Sequence, residues 1–155
     1  MNQDFLREAI RLSIDNLNTP GGGPFGAVVV RDGRIIGRGQ NRVVPTNDPT
    51  AHAEVVAIRD ACSIFGTYTL TGCEMYTSCE PCPMCLSAIY WAHLDRIHYA
   101  ATRADADAAG FRDDLLYHEI ALPRERRAIP MVHALQDEAC EAFRIWSKRE
   151  DRIRY

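Results

Sequence analysis

Ser78-Cys79-Glu80-Pro81-Cys82-Pro83-Met84-Cys85 is the stretch on which the reading of this 155-residue chain turns. Before it, Cys73-Glu74-Met75-Tyr76-Thr77 has the makeup of a short strand. After it, residues from Pro83 to about His93 are expected to be helical, with Pro81 or Pro83 as the start signal. A strand, a sharp proline turn and a helix place Cys82 and Cys85 at the open end of a sheet. Their spacing of three puts both sulfurs on one side of the first helical turn, where the positive helix end favours thiolates. Earlier in the chain, Ala51-His52-Ala53-Glu54 supplies an imidazole and a carboxylate. One imidazole and two thiolates form a borderline-soft donor set suited to Zn²⁺, and three protein ligands leave a fourth tetrahedral position for water. Zinc lowers the pKa of such a water from 15.7 to roughly 7, and a nearby carboxylate that is not a ligand, Glu54, can take the proton. Residues two apart on a helix point about 200° apart, so His52 and Glu54 cannot share one lateral face. The metal must sit over the helix end, and Asp48-Pro49-Thr50 place His52 within the first turn.

Working outward, residues of about 4 to 17 carry Phe5, Leu6, Ala9, Ile10, Ser13, Ile14 and Leu17 at helical spacing. Asn18-Thr19-Pro20-Gly21-Gly22-Gly23-Pro24 ends that helix. The triple glycine lacks the Gly-Lys-Ser/Thr ending of a phosphate loop and precedes a strand, so it reads as a flexible loop at a site mouth. Phe25–Val30 and Arg34–Gly39 flank Asp32-Gly33, a strong signal for a type I′ hairpin. A polar loop from Arg42 to Thr50 leads into the His52 helix, which Gly66 closes. Arg96–Ala101 is expected as a strand parallel to Cys73–Thr77, because a helix connects them. Ala104–Ala109 and Asp114–Ile120 are helix-prone, Ile129–His133 is a candidate last edge strand, and Glu138–Arg149 is a final amphipathic helix.

At this length the chain is one domain that buries about 70% of its unfolded surface without needing metal or disulfides, so zinc is expected to do chemistry. A net charge of −3 gives no electrostatic case for nucleic acid or acidic membranes, and small neutral substrates fit better. No apolar run reaches the length of a bilayer span. Met1 is followed by the charged amphipathic Asp4-Phe5-Leu6-Arg7-Glu8, which is not a secretory leader, so a cytoplasmic location with reduced thiols is expected. Cys62, Cys73 and Cys140 read as core residues. Cys79-x-x-Cys82 is a second Cys-x-x-Cys pair, and a closed four-ligand knot that includes Cys79 stands as the alternative to an open catalytic site. His93, His98, His118 and His133 have no mutual ligand spacing.

The His-x-Glu and Pro-Cys-x-x-Cys elements resemble the signature of zinc deaminases, and the chain resembles the cytidine deaminase-like superfamily over essentially its whole length. More narrowly it is similar to the bacterial guanine deaminases. The likeness rests on Gly22-Gly23-Pro24-Phe25-Gly26-Ala27-Val28, Asn47-Asp48-Pro49-Thr50-Ala51-His52-Ala53-Glu54, Tyr76 to Cys85, Ala109-Gly110-Phe111 with Asp113, and Tyr155. That resemblance implies a three-layer α/β/α sandwich around a five-stranded mixed sheet. It implies one Zn²⁺ per chain on His52, Cys82 and Cys85, with Glu54 as proton shuttle. It also implies a homodimer in which the segment of about residues 135–155 crosses to the partner.

The implied reaction is hydrolysis of guanine to xanthine and ammonia, with zinc-activated hydroxide attacking C2 and a purine base as the small-molecule partner. Asp113, or Asp114 in its place, is the second acid; a carboxylate suits guanine because N1–H and the 2-amino group are both donors. Asn41 offers a donor and an acceptor to the far ring edge, Phe25 and Trp91 sandwich the purine plane, and Ala53 and Tyr155 complete the pocket. Guanosine, cytosine, a guanine-like triazine and tRNA adenosine stand as alternative substrates. Outside the enzymes, a structural zinc interaction module and a thiol redox protein stand as alternatives.

Overall fold

The computed structural model describes residues 2–154. Asn2 caps the first helix, α1 (Gln3–Asn16), its side chain accepting a hydrogen bond from the Asp4 amide at 3.0 Å. The hairpin forms as the sequence indicates: β1 (Gly26–Arg31) and β2 (Arg34–Gln40) pair antiparallel, and Asp32 and Gly33 adopt φ of 48° and 71°. Both central residues of a type I′ turn need positive φ, which is why Asp-Gly stands there. The register slips between Val29 and Val30, a bulge that the sequence did not announce. A four-residue helix, α2 (Val43–Thr46), interrupts the loop expected to be irregular, and Asn47 at φ 50° closes it. Then follow α3 (Ala53–Phe65), β3 (Cys73–Cys79), α4 (Pro83–Trp91), β4 (Arg96–Ala101), α5 (Arg103–Ala108), α6 (Asp114–Ala121), a single 3₁₀ turn at Arg124–Arg126, and α7 (Gln136–Lys148).

The sheet has the order β2-β1-β3-β4. β1 runs antiparallel to both neighbours, whereas β3 and β4 are parallel, as the connection through α4 requires. Among the described residues four strands form, not the five expected. The candidate fifth, residues 129–133, carries no ladder; Pro130 lacks the N–H that a paired strand donates.

β1 is buried along Gly26–Val30 because both its faces are covered, and its apolar run is continuous for the same reason. Val28 and Val30 point to α1 and pack with Leu12 and Tyr76. Ala27 and Val29 point the other way, into a cluster with Ala53, Ala57 and Ala61 of α3, Met75, and Ile89 of α4. The result is an α/β/α sandwich.

One seam in it matters for the site. Gly37 and Gly39 of β2 face Ala53, Ala57 and Ala61, and a Cβ placed on Gly39 would lie 2.5 Å from the Ala57 nitrogen. Small residues on both sides let the α3 backbone lie directly against the strand.

The chain forms two compact units, Met1–Leu116 and Tyr117–Tyr155. The first contains the whole sheet. The second holds the end of α6, the 3₁₀ turn and α7, whose Phe143 and Ile145 are exposed. All six cysteines are free thiols; Cys73 is buried, and Cys62 and Cys140 are half-buried.

Candidate active site

Two helix starts deliver the proposed metal ligands. His52 is the N-cap of α3 and Cys82 the N-cap of α4, both with extended backbone (φ −68°, ψ 156° and φ −66°, ψ 167°). Pro83 occupies the first helical position, where its missing N–H is no loss. Cys85 lies on that same first turn. The His52 Nδ1 atom is 3.6 Å from Cys82 Sγ and 3.4 Å from Cys85 Sγ, and the three donor atoms all lie within 4.8 Å of one another. Because His52 caps α3 and does not belong to its regular turns, it and Glu54 both reach the space over the helix end. The geometric condition read from the sequence is met in this way.

The donors fit zinc: one imidazole nitrogen and two sulfurs, converging and largely buried. Cys79 is not among them. Its thiol turns to the Thr102 carbonyl at 3.6 Å, so among the described residues three side chains make up the cluster and the closed four-ligand alternative has no fourth sulfur.

The electrostatics follow from crowding. The Cys85 thiol donates to Cys82, and His52 adds to the effect, holding Cys82 down at about 4. Cys85, as the donor in a buried pair, is pushed far up. The Cys82 hydrogen bond raises His52 against the opposing effect of burial. Glu54 is only 6% exposed. Burial is the main cause that raises its pKa, and the nearby Cys82 adds to it, against its own backbone N–H and the Cys85 thiol. Thr77 Oγ1 donates to Glu54 Oε1 at 3.2 Å. Cys79, by contrast, is pushed up to about 11 by burial.

These groups open onto a cavity of about 400 Å³. Of the residues singled out from the sequence, His52, Glu54, Cys82, Phe25, Asn41 and Asp113 all line it. Asp113 is half-buried and its pKa is raised, by burial first and then by Cys82. Asp114 is exposed and opens α6, so of the two candidate acids it is Asp113 that the fold brings in.

Two expected contacts are not brought to this cavity. Trp91 lies at the far end of α4 from Cys82, is 65% exposed and does not line the cavity. Nine helical residues carry it about 13 Å from the ligand end. Phe25 instead meets Phe111 edge-on, with ring centroids 4.8 Å apart at 85°. Ala53 has its side chain in the apolar cluster beneath the sheet, with no exposure, and does not line the cavity either. Tyr155 lies outside the described residues.

Sequence reasoning missed Phe111, Glu80 and the Val43-Val44 pair as lining residues, and Thr77 as the partner of Glu54. Thr77 was open to inference, because period-two alternation puts it on the face of Met75, toward α3. The valines were not, since α2 carries no signal of its own.

A three-donor metal cluster with a buried acid, set at the ends of parallel strands in an α/β/α sandwich, defines a class. The chain matches the family model described as the cytidine and deoxycytidylate deaminase zinc-binding region over residues 1–101, and it belongs to that family. Among its relatives, guanine deaminase of Bacillus subtilis (strain 168) is 49% identical over 154 residues, 99% of each chain. The X-ray structure of guanine deaminase from Bacillus subtilis superposes with a TM-score of 0.96 at 50% identity, covering 100% of this chain and 99% of that one. The tRNA-specific adenosine deaminase of the same organism is more distant, 32% identical over 90% of this chain and 85% of its own. A solved structure of NE0047 in complex with 2,6-diaminopurine is 35% identical, with a TM-score of 0.67 over 70% of this chain and 61% of that one.

Proposed function

We propose that this protein is a zinc-dependent guanine deaminase, hydrolysing guanine to xanthine and ammonia. The observation that carries the reading is that His52 and Cys82 of the three-donor cluster, with Cys85 buried behind them, meet the buried acid Glu54 and the second acid Asp113 around one cavity. Zinc held by the three donors supplies Lewis acidity, which makes water a competent nucleophile near neutral pH.

The remaining chemistry belongs to side chains. Glu54 takes the proton from the attacking water, and its raised pKa makes it a willing carrier. It passes that proton to a ring nitrogen, then takes the second proton from the new C2 hydroxyl and hands it to the amine departing from C2. Thr77 steadies one carboxylate oxygen during this exchange.

Asp113 accepts from guanine N1–H and the 2-amino group, whereas adenine, which lacks both, leaves it unpaired. Asn41 serves the far edge of the ring through its amide. Phe25, braced by Phe111, lies against the purine plane. No helix among the described residues is long and apolar enough to cross a membrane. A homodimer, exchange of the C-terminal segment, a cytoplasmic location and independence from nucleic acid belong to the same proposal.

Glu54→Gln tests it. With zinc retained at one per chain, release of ammonia from guanine should fall by about 10²–10⁴-fold, the usual worth of positioned acid–base catalysis. Normal turnover in a zinc-loaded Glu54→Gln protein would end the assigned role.

A further inference from the structure

Asn16, the last residue of α1, is fully buried and does not line the cavity. Its amide nitrogen donates to two backbone carbonyls that are distant in sequence, Gly23 at 2.8 Å and Asn41 at 2.9 Å. Those two positions are already linked through the chain between them. The Phe25 amide donates to the Gly23 carbonyl at 2.8 Å, and the Asn41 amide donates to the Phe25 carbonyl at 3.1 Å. The four bonds close a ring: Asn16 to Gly23, Gly23 to Phe25, Phe25 to Asn41, and Asn41 back to Asn16. Every member of the ring except Asn16 lines the substrate cavity.

The other end of the amide is unusual. Asn16 Oδ1 is buried and has no hydrogen-bond partner. A side chain that leaves its acceptor unsatisfied while using both hydrogens of one nitrogen is held there for its donors. Serine offers one such hydrogen, and leucine or aspartate none.

We propose that Asn16 is a positioning residue for substrate, which sets affinity for the base by fixing the backbone at Phe25 and Asn41. It does so from outside the cavity, and the inference rests on the reading of those two side chains as base contacts. Its contribution falls on binding and leaves the zinc cluster and Glu54, which belong to other elements, as they are.

The test uses the full-length, zinc-loaded protein with Asn16→Ser and Asn16→Leu. Amide exchange at Phe25 and Asn41 should quicken by about tenfold or more, while α3 amides keep their protection. KM for guanine should rise by about tenfold for Asn16→Ser and further for Asn16→Leu, with kcat within about threefold and zinc at one per chain. Unchanged KM with both amides still protected overturns the proposal, as does a fall in kcat at constant KM. If Asn16→Leu does not fold, a cycle still decides. In a Phe25→Leu, Asn41→Ala background the effect of Asn16→Ser on KM should largely vanish, and an effect of full size there refutes action through those side chains. Should that background itself bind guanine like the wild type, the reading of the two contacts falls and this proposal with it, while the chemistry assigned to Glu54 stands.

Discussion

Gly39→Ala probes whether the tight seam between α3 and β2 fixes the reaction geometry. The added Cβ would lie 2.5 Å from the Ala57 nitrogen and 3.0 Å from the Ala53 carbonyl carbon, where ordinary contact begins at 3.4 Å. Strand and helix must therefore part by about 1 Å, and both obstacles are helix backbone, which cannot swing aside. Overpacking of this kind costs about 1–3 kcal/mol, or about 2–12 °C in Tm for a chain of this size. Ala53 stands between His52 and Glu54, so the displacement falls on the metal ligand and the acid together. A shift of about 1 Å at reacting groups is worth about 10²-fold in rate. Gly37→Ala is the control: its Cβ also meets helix backbone, 2.5 Å from the Ala57 carbonyl oxygen and 2.8 Å from the Ala61 nitrogen, but less deeply than that of Gly39, which comes closer still to the Ala53 carbonyl oxygen, and farther along α3 from the site. Both variants should lose stability in thermal unfolding, Gly39→Ala the more. Only Gly39→Ala should lose about 10²-fold in kcat, read as ammonia released at saturating guanine, together with zinc per chain. Two variants that lose kcat in step with Tm, or a fully active Gly39→Ala, would refute the argument.

Two further outcomes are expected. In zinc-stripped protein at pH 7, iodoacetamide should label Cys82, held at about 4 and lining the cavity, well before Cys79, which is pushed up to about 11; peptide mass mapping reads the order, and prior labelling of Cys79 contradicts it. Glu74, a third exposed, has its carboxyl held below the ordinary value of 4.5 by the Tyr76 hydroxyl first and then by His98 and Arg96. A lowered folded-state pKa stabilises above the unfolded value and is lost as pH falls through the folded one. Glu74→Gln should accordingly reduce Tm by about 1–4 °C at pH 7, after allowing for solvent screening, and by progressively less as the pH falls below 4.5 through the folded-state value. A deficit that stays constant as the pH is lowered would exclude the ionic origin.

The His52, Cys82 and Cys85 cluster and the buried Glu54 beside it were legible because they are written in short spacings: His52 two residues from Glu54, and Cys82 three from Cys85. The hairpin was legible for a similar reason, since Asp32-Gly33 specifies its own backbone angles. Strand direction at β3 and β4 followed from the helix between them. What failed depended on partners far along the chain. Trp91 is close to the motif in sequence, yet a helix separates its two ends in space, and only the helix length tells which end faces the cavity. Pro130 should have demoted the fifth strand, because its neighbours' β-propensity cannot supply the missing N–H. α2 is too short to carry a periodic signal, and it brings Val43 and Val44 to the cavity wall. Asn16 was invisible for the opposite reason. It ends a helix whose periodicity concerns apolar residues only, and its two carbonyl partners are 7 and 25 residues away.

His52 and the two sulfurs are at least 30 residues apart along the chain, and neither apolar cluster of the sandwich includes any of them. The apolar core is thus complete without the metal cluster, unlike that of small zinc-nucleated modules. Chelation is accordingly expected to abolish turnover while the sheet and its helices stay folded, an outcome that far-UV circular dichroism of zinc-stripped protein checks.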